Sequence, residues 1–320
     1  MDKLRVGIVG CGAVTEIAHL PALTKHPMAN IYGIVDKNEE RAKAMAERFC
    51  LSRYFMDYVE LIDKVDMAIV ALPNNLHAKP TIDFLKQDIH VLCEKPMAIS
   101  TKECQAMIKA ENKSKAKLMI GHNRRFMSNV NLSKSMLDNG IFGKVSNYEC
   151  KVGSVYRWPT QTGFYFKKKE AGGGVLIDMG AHIIDLVIWF FGDVIDVQCI
   201  AKDIMGKGVE DNAWVSFTHN NSIKGSITLS RTERLENTLL IKGDHGWIKI
   251  GIFDTTLLEF FSEKAKITSK MGQLCVKTKN NDPFRDQFTH FADCIRTNGK
   301  PLISGIDGMK VVEVVEKCYR

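Results

Sequence analysis

Leu4-Arg5-Val6-Gly7-Ile8-Val9-Gly10-Cys11-Gly12-Ala13-Val14-Thr15 is the stretch on which the architecture turns. A short apolar run, Leu4–Val9, ends in glycines, and Ala13–His26 then reads as a helix. Glycines between a strand and a helix allow a tight turn and let backbone N–H groups approach a pyrophosphate. Gly10, Cys11, Gly12, Ala13 and Val14 are therefore candidate cofactor contacts. The third position of such a turn usually takes Gly or Ala for close helix–strand packing, and Thr15 departs from that, so slightly wider packing is expected. Asp36 ends the next apolar run, Ile31–Val35. A carboxylate there hydrogen-bonds adenosine ribose hydroxyls and repels a 2′-phosphate, which favours NAD. Lys37 beside it is a cation that accepts such a phosphate, so NADP stays open.

Outward from this turn, strand and helix signals alternate. Asn38–Phe49 is helix-like, Asp66–Leu72 is a buried-strand candidate stopped by Pro73, and Thr81–Gln87 is helix-like. Ile89–Cys93 reads as strand, Thr101–Lys113 as helix and Leu118–Ile120 as strand. Such alternation predicts a doubly wound parallel sheet of Rossmann type, the α/β class, over residues 1–122. Beyond residue 123 the texture changes. Phe126–Asp138 is helix-like, and then come Val145–Val155, Val194–Ile204, Ala213–Thr218, Ser222–Ser230, Thr238–Ile250 and Thr256–Phe261, partly alternating and separated by turn residues. This pattern predicts an antiparallel sheet in a second domain, 123–320, closed by helices at Pro283–Arg296 and Gly305–Arg320. The chain stops inside an amphipathic pattern, which leaves open an extension past Arg320.

Composition narrows the class. With 320 residues, 45% hydrophobic and 25% charged, the chain suits two globular domains of about 150 residues each. The net charge of +7 is spread out, with no basic block of the kind that marks a nucleic-acid arm. Lys167-Lys168-Lys169 is the densest cluster, either a solvated loop or a phosphate contact. Nine dispersed cysteines without a C-x-x-C pair argue against a disulfide framework or a metal site and for a reducing compartment. No signal-like segment and no run of 18 or more apolar residues is read, so a cytoplasmic protein without membrane partners is expected.

A second glycine entry carries the chemistry. Ala171-Gly-Gly-Gly-Val-Leu-Ile-Asp178-Met-Gly-Ala-His182-Ile-Ile-Asp185-Leu-Val-Ile-Trp189 leads three glycines into an apolar helix. Asp178 and His182 are four apart and share one helical face. A carboxylate and an imidazole held against apolar surroundings suit proton transfer. Ile89-His90-Val91-Leu92-Cys93-Glu94-Lys95-Pro96 is a strand ending on a charged pair and a proline. Ligands of open α/β sheets lie beyond strand C-termini, so Lys95 is aimed at the cofactor, and a cis bond before Pro96 would fix its direction.

Taken together, Gly10-Cys-Gly12, Asp36, Leu72-Pro73-Asn74 with His77, Glu94-Lys95-Pro96, Gly121-His-Asn123-Arg-Arg125-Phe and Gly172-Gly-Gly-x-x-x-Asp178-x-Gly-x-His182-x-x-Asp185 resemble the glucose–fructose oxidoreductase / inositol dehydrogenase / rhizopine-catabolism (Gfo/Idh/MocA) family. The resemblance runs through most of the chain. It implies a Rossmann domain followed by an α/β domain with a large open antiparallel sheet, used for homodimer or homotetramer formation. It implies NAD(P)-dependent oxidation of a secondary alcohol on a sugar, cyclitol or sugar derivative, or the reverse. Lys95, Asp178 and His182 match the family's catalytic residues; Leu72, Pro73, Asn74, His77, Glu94 and Asn123 match cofactor-lining positions.

Within that chemistry His182 is the general base, Lys95 stabilises the developing alkoxide, and Asp178 orients substrate or lysine. Tyr156, Arg157, Trp158 and Tyr165 flank the catalytic helix as substrate candidates. Aromatics stack on sugar faces, and Arg157 or Arg124 suits a carboxylate or phosphate, although the aromatics equally suit a core. Three functions follow: a dehydrogenase of free polyols, an enzyme for a nucleotide-linked or anionic sugar, and a non-catalytic dinucleotide sensor. The last needs no lysine–aspartate–histidine set.

Overall fold

The structure, a computed structural model, describes residues 3–155, 159, 162–264 and 273–320. Two compact units interleave along the chain. The first comprises Met1–His122, Trp158–Gly172 and Phe284–Glu313; the second comprises Asn123–Arg157, Gly173–Pro283 and Val314–Arg320. Segments 158–172 and 284–313 belong to the first unit although they follow residue 123 in the chain. Packing explains the later return: Ile120 N–H donates to Ile303 O at 3.1 Å, and Gly305 and Gly308 lie against Leu118, Ile120 and Met97.

The first unit is built on six parallel strands, β1 (Leu4–Val9), β2 (Ala29–Val35), β3 (Tyr54–Phe55), β4 (Met67–Val70), β5 (His90–Cys93) and β6 (Leu118–Ile120), in the order β3-β2-β1-β4-β5-β6. Val6, Ile8, Ile34, Ile69 and Val91 are wholly buried, as expected of parallel strands covered on both faces. Helices α1 (Leu20–Leu23), α2 (Glu39–Arg48), α3 (Ala78–Lys86) and α4 (Thr101–Glu111) connect them. Two start on side-chain caps: Asn38 accepts from Arg41 N–H, and Ser100 from Glu103 N–H. Strand order reverses between β1 and β4, so the ends of those strands, Gly10 and Leu72, flank the switch point at which such sheets bind ligands.

The helix read over Ala13–His26 is a π turn, Thr15–His19, followed by the single α turn α1. Pro21 stands in that turn without an N–H to give, and the Leu20 N–H reaches back to Thr15 O. Thr15 is fully buried, and its hydroxyl donates to Gly10 O at 2.6 Å. The departure from Gly or Ala therefore ties the turn to the helix rather than merely widening the packing.

The second unit carries eight strands, β7 (Val145–Gly153), β8 (Val194–Lys202), β9 (Asn212–His219), β10 (Lys224–Ser230), β11 (Thr238–Gly243), β12 (Gly246–Gly251), β13 (Leu257–Ser262) and β14 (Gln273–Lys277). Their order is β14-β13-β12-β11-β7-β10-β9-β8. All pairs are antiparallel except β7–β10, which is parallel, so the sheet is mixed and mainly antiparallel, in keeping with the sequence reading. Alternation along a strand reports which face is buried and not which neighbour it meets, so this pair was invisible in sequence. In β9, Ala213, Val215 and Phe217 are buried while Trp214 and Ser216 face outward, leaving one face open.

The remaining helices are α5 (Ser128–Asp138), α6 (Lys168–Ala171), α7 (Ala181–Phe191), α8 (Pro283–Thr297) and α9 (Gly305–Cys318). Helix α7 covers the buried face of the second sheet: Phe191 stacks on Tyr148 with ring centroids 4.9 Å apart. By length and composition, 168–191 is one helical stretch able to cross a membrane, but 72% of its most apolar window is buried in the protein and left-handed Gly172 ends α6 inside it.

Candidate active site

The glycine turn after β1 is shaped by two different needs. Gly10 has φ +108°, and a Cβ there would lie 2.2 Å from Ala71 O. Only glycine fits. A Cβ on Gly12 would meet nothing within 4 Å. No protein neighbour demands glycine at 12, and the space it leaves suits a ligand approaching the backbone. Asp36 supports the turn, accepting from Cys11 N–H at 3.1 Å and Asn38 N–H at 2.9 Å. Arg41 lies 3.6 Å from its carboxylate, a cation the sequence reading did not single out beside Asp36. Cys11 is buried, and burial pushes its thiol up to about 12, so it is structural rather than reactive.

The ends of β4 and β5 are stapled together. His77 is buried, with Nδ1 2.8 Å from Pro96 O and Nε2 2.8 Å from Leu72 O. Burial lowers its pKa against the pull of both carbonyls. Asn74 is buried and donates to Ala171 O at 2.7 Å. Glu94 lies 2.8 Å from His19 Nε2, both nearly inaccessible. Burial raises the Glu94 carboxyl, but the His19 contact and the Lys95 charge outweigh it and hold the pKa below the ordinary range. His19 is thus the partner of a motif residue. The polar atoms of Asn74, His77 and Glu94 are engaged within the protein, where they fix the shape of the rim around Leu72 and Pro73. Lys95 is half-buried on that rim, and the Lys95–Pro96 bond is cis, as the sequence suggested.

The second glycine entry lies in the other unit. Between Val175 and Ile188 only Asp178, Met179 and His182 are not buried. Asp178 stands in a π turn, Leu176–Gly180, that runs into α7, and His182 follows in α7 itself. The helix start is held by Glu210, whose backbone O accepts from Val175 N–H at 2.8 Å. Its Oε1 accepts from Gly174 N–H at 2.9 Å, Leu176 N–H at 3.1 Å and the Tyr319 hydroxyl at 2.6 Å. A Cβ on Gly173 would lie 1.9 Å from Tyr319 Oη, and one on Gly174 1.9 Å from Glu210 O. These glycines are set by close protein packing.

Asp178 has a partner that sequence reasoning missed. Arg231 Nη2 donates to Asp178 Oδ2 at 2.8 Å, with the guanidinium 1% exposed. Asp185, three residues past His182, forms a buried two-point pair with Arg125 at 2.7 and 3.0 Å. Arg124 is buried, donates to Ile252 O and lies 4.8 Å from the Phe253 ring. Burial pulls it down to about 10, with Cys150 and Asp178 opposing. Asn123 Oδ1 is buried and accepts no hydrogen bond among the described residues. Tyr165 is half-buried and packs on Phe164 at 4.0 Å. The candidates Tyr156, Arg157 and Trp158 lie outside the described residues. Lys167 pairs with Glu170 at 3.2 Å, which weakens the phosphate reading of the lysine cluster. No group of three or more His, Cys, Asp or Glu with metal-binding geometry occurs among the described residues.

A parallel sheet with an open glycine turn, joined in one chain to a mixed-sheet unit bearing a partly exposed carboxylate and imidazole, is the arrangement of a dinucleotide-dependent oxidoreductase. Residues 4–122 match the oxidoreductase family with NAD-binding Rossmann fold, and 130–249 match the GFO/IDH/MocA C-terminal domain. The chain belongs to the GFO/IDH/MocA family. It is 33% identical over 189 residues to glucose-6-phosphate 3-dehydrogenase of Bacillus subtilis, a match covering 58% of this chain and about half (53%) of that protein's length. It is 25% identical to myo-inositol 2-dehydrogenase of Thermotoga maritima, over 95% of this chain and 92% of that one. In fold it resembles aldose–aldose oxidoreductase from Caulobacter crescentus, solved with glycerol, with TM-score 0.89, 24% identity, and coverage of 99% and 97%.

Proposed function

We propose that the protein is an NAD-dependent dehydrogenase of a sugar, cyclitol or sugar derivative, acting on a secondary alcohol. The bound nicotinamide would supply the hydride acceptor or donor. The observation that carries the reading is the helix start at Val175–Ile188, where an otherwise buried stretch leaves Asp178 and His182 accessible. Buried helices do not expose a carboxylate and an imidazole on one face without a use for them.

The roles follow from chemistry. His182 takes the hydroxyl proton, because an imidazole titrates near neutral pH. Lys95 donates to the same oxygen as negative charge develops on it. Asp178 orients the substrate. The Gly10–Val14 turn takes the pyrophosphate, Asp36 the ribose hydroxyls, and Leu72, Pro73 and Asn123 line the cofactor. Asp36 supports NAD over NADP, while Arg41 at 3.6 Å is the group through which a 2′-phosphate would be tolerated. The test is the change in NADH absorbance across inositols, aldoses and their phosphates, with NADPH in parallel. Bound cofactor without turnover on any of them would favour the sensor instead.

A second reading, an anionic sugar, is favoured by Arg124. Its guanidinium is buried, its Nε makes no hydrogen bond among the described residues, and it has no salt bridge recorded there. A similarity to a glucose-6-phosphate 3-dehydrogenase over part of the chain points the same way. A kcat/KM for a sugar phosphate no higher than for the free sugar would remove it.

The reading extends to assembly and location. The open sheet face, with Ile200 and Trp214 exposed side by side on paired strands, supports a homodimer or homotetramer. Solution mass by light scattering tests this. Nine free thiols support a reducing, cytoplasmic setting.

A further inference from the structure

We propose that Arg231 is a positioning residue of this reaction: a buried cation that keeps Asp178 ionised and aimed, so that the substrate's hydroxyl proton passes to His182 and not to the carboxylate. The inference rests on the dehydrogenase reading.

Arg231 lies directly after β10, where its N–H donates to Asp211 O at 2.8 Å. From there Nη2 reaches Asp178 Oδ2 at 2.8 Å and, more weakly, Gly174 O at 3.4 Å. Asp178 N–H donates to the same Gly174 O at 3.2 Å. Guanidinium, carboxylate and the carbonyl at the helix start are therefore linked by hydrogen bonds. Turning Asp178 away would leave a buried cation without its carboxylate, a costly state.

The charge balance supports the assignment of the proton. A guanidinium does not give up its proton in the working pH range, and an opposite charge at hydrogen-bond distance favours the ionised carboxylate. Among the described residues, the charged and titratable groups that bear on Asp178 include Arg231 from the end of β10, Arg124 from the turn at Asn123–Phe126, and His182 one turn along the helix. Glu210 meets the same helix start at the N–H groups of Gly174 and Leu176. A carboxylate hydrogen-bonded to a guanidinium is a poor proton acceptor. The imidazole, whose ordinary pKa lies near neutrality, is the better one. The hydroxyl proton moves to an imidazole nitrogen, and the O–H electron pair stays on oxygen.

Arg231→Gln and Arg231→Lys in the full-length protein test this, with NAD and a polyol that the wild type oxidises. Arg231→Gln keeps a donor for Asp178 but removes the charge. We expect an unchanged Kd for NAD, a kcat reduced on the order of tenfold to a hundredfold with little change in KM, and a kcat–pH profile whose acid limb moves upward as Asp178 begins to titrate. Arg231→Lys keeps the charge and should retain the wild-type profile at a lower kcat. An Arg231→Gln profile identical to wild type, or a shifted profile in Arg231→Lys, overturns the inference. If Arg231→Gln fails to fold, the Arg231→Lys profile decides alone. A wild type inert toward every polyol would instead sink the dehydrogenase reading itself.

Discussion

Two glycine-rich entries feed two helices in this chain, and both open with a π turn, at Thr15–His19 and at Leu176–Gly180. The resemblance ends at the reason for the glycines. At Gly12 an added Cβ would meet open space, whereas at Gly173 and Gly174 it would strike Tyr319 and Glu210 at 1.9 Å. The first entry keeps its backbone bare for a ligand. The second keeps it bare so that a carboxylate and a phenol can grip the helix that carries Asp178 and His182. Equal composition therefore encodes binding in one place and positioning in the other.

The largest effect is expected on the second entry's chemistry. His182→Ala should lower kcat by roughly 10²–10⁴-fold while the Kd for NAD is unchanged. Wild-type turnover in that variant would remove the proton-transfer role from this helix. Asp185→Ala removes one half of a buried pair that is 2% and 0% exposed. It should cost about 3–5 kcal/mol in chemical denaturation, the usual size for breaking a buried ion pair from one side.

The glycines themselves offer the sharpest contrast. Gly174→Ala should destabilise by about 1–3 kcal/mol, since a backbone oxygen cannot swing aside as a flexible side-chain end can. Gly12→Ala should leave stability within about 0.5 kcal/mol of wild type yet weaken NAD on the order of tenfold, about 1.4 kcal/mol. Equal stability losses in the two variants, with NAD binding intact in Gly12→Ala, would erase the distinction between the entries.

The smallest effect is global. Burial holds the pKa values of His77 and His219 below the ordinary 6.5. The unfolded chain then binds more protons than the native one, so stability is full above the unfolded value and falls as pH drops toward the folded values. Tm should decline as pH falls below about 6.5, the ordinary histidine value, toward the depressed folded values. A Tm that holds or rises over that interval would show that these rings are not kept neutral.

Much of this was legible in sequence because the signals are local. Gly10–Gly12 after β1, the acid at Asp36 and the Lys95–Pro96 corner each lie within a few residues of the element they serve. The helix at Asp178 was legible too, through its apolar spacing. Arg231, Glu210 and Tyr319 were not. They stand 53, 36 and 109 residues from the atoms they hold. No periodicity links an arginine just past a strand to an aspartate in a helix start. The parallel β7–β10 pair escaped for the same reason, as did the return of 284–313 to the first sheet.

By itself the sequence determined the alternation that builds the parallel sheet, the glycine turn after its first strand and the choice of Asp178 and His182 as candidates, because these depend on neighbours along the chain and on side-chain chemistry. Only the tertiary structure decided which charge faces Asp178, why Gly173 and Gly174 are glycines, and that Glu94 is matched by His19. Those outcomes depend on where distant segments pack once they are removed from water, and burial makes a partner obligatory without naming it in advance.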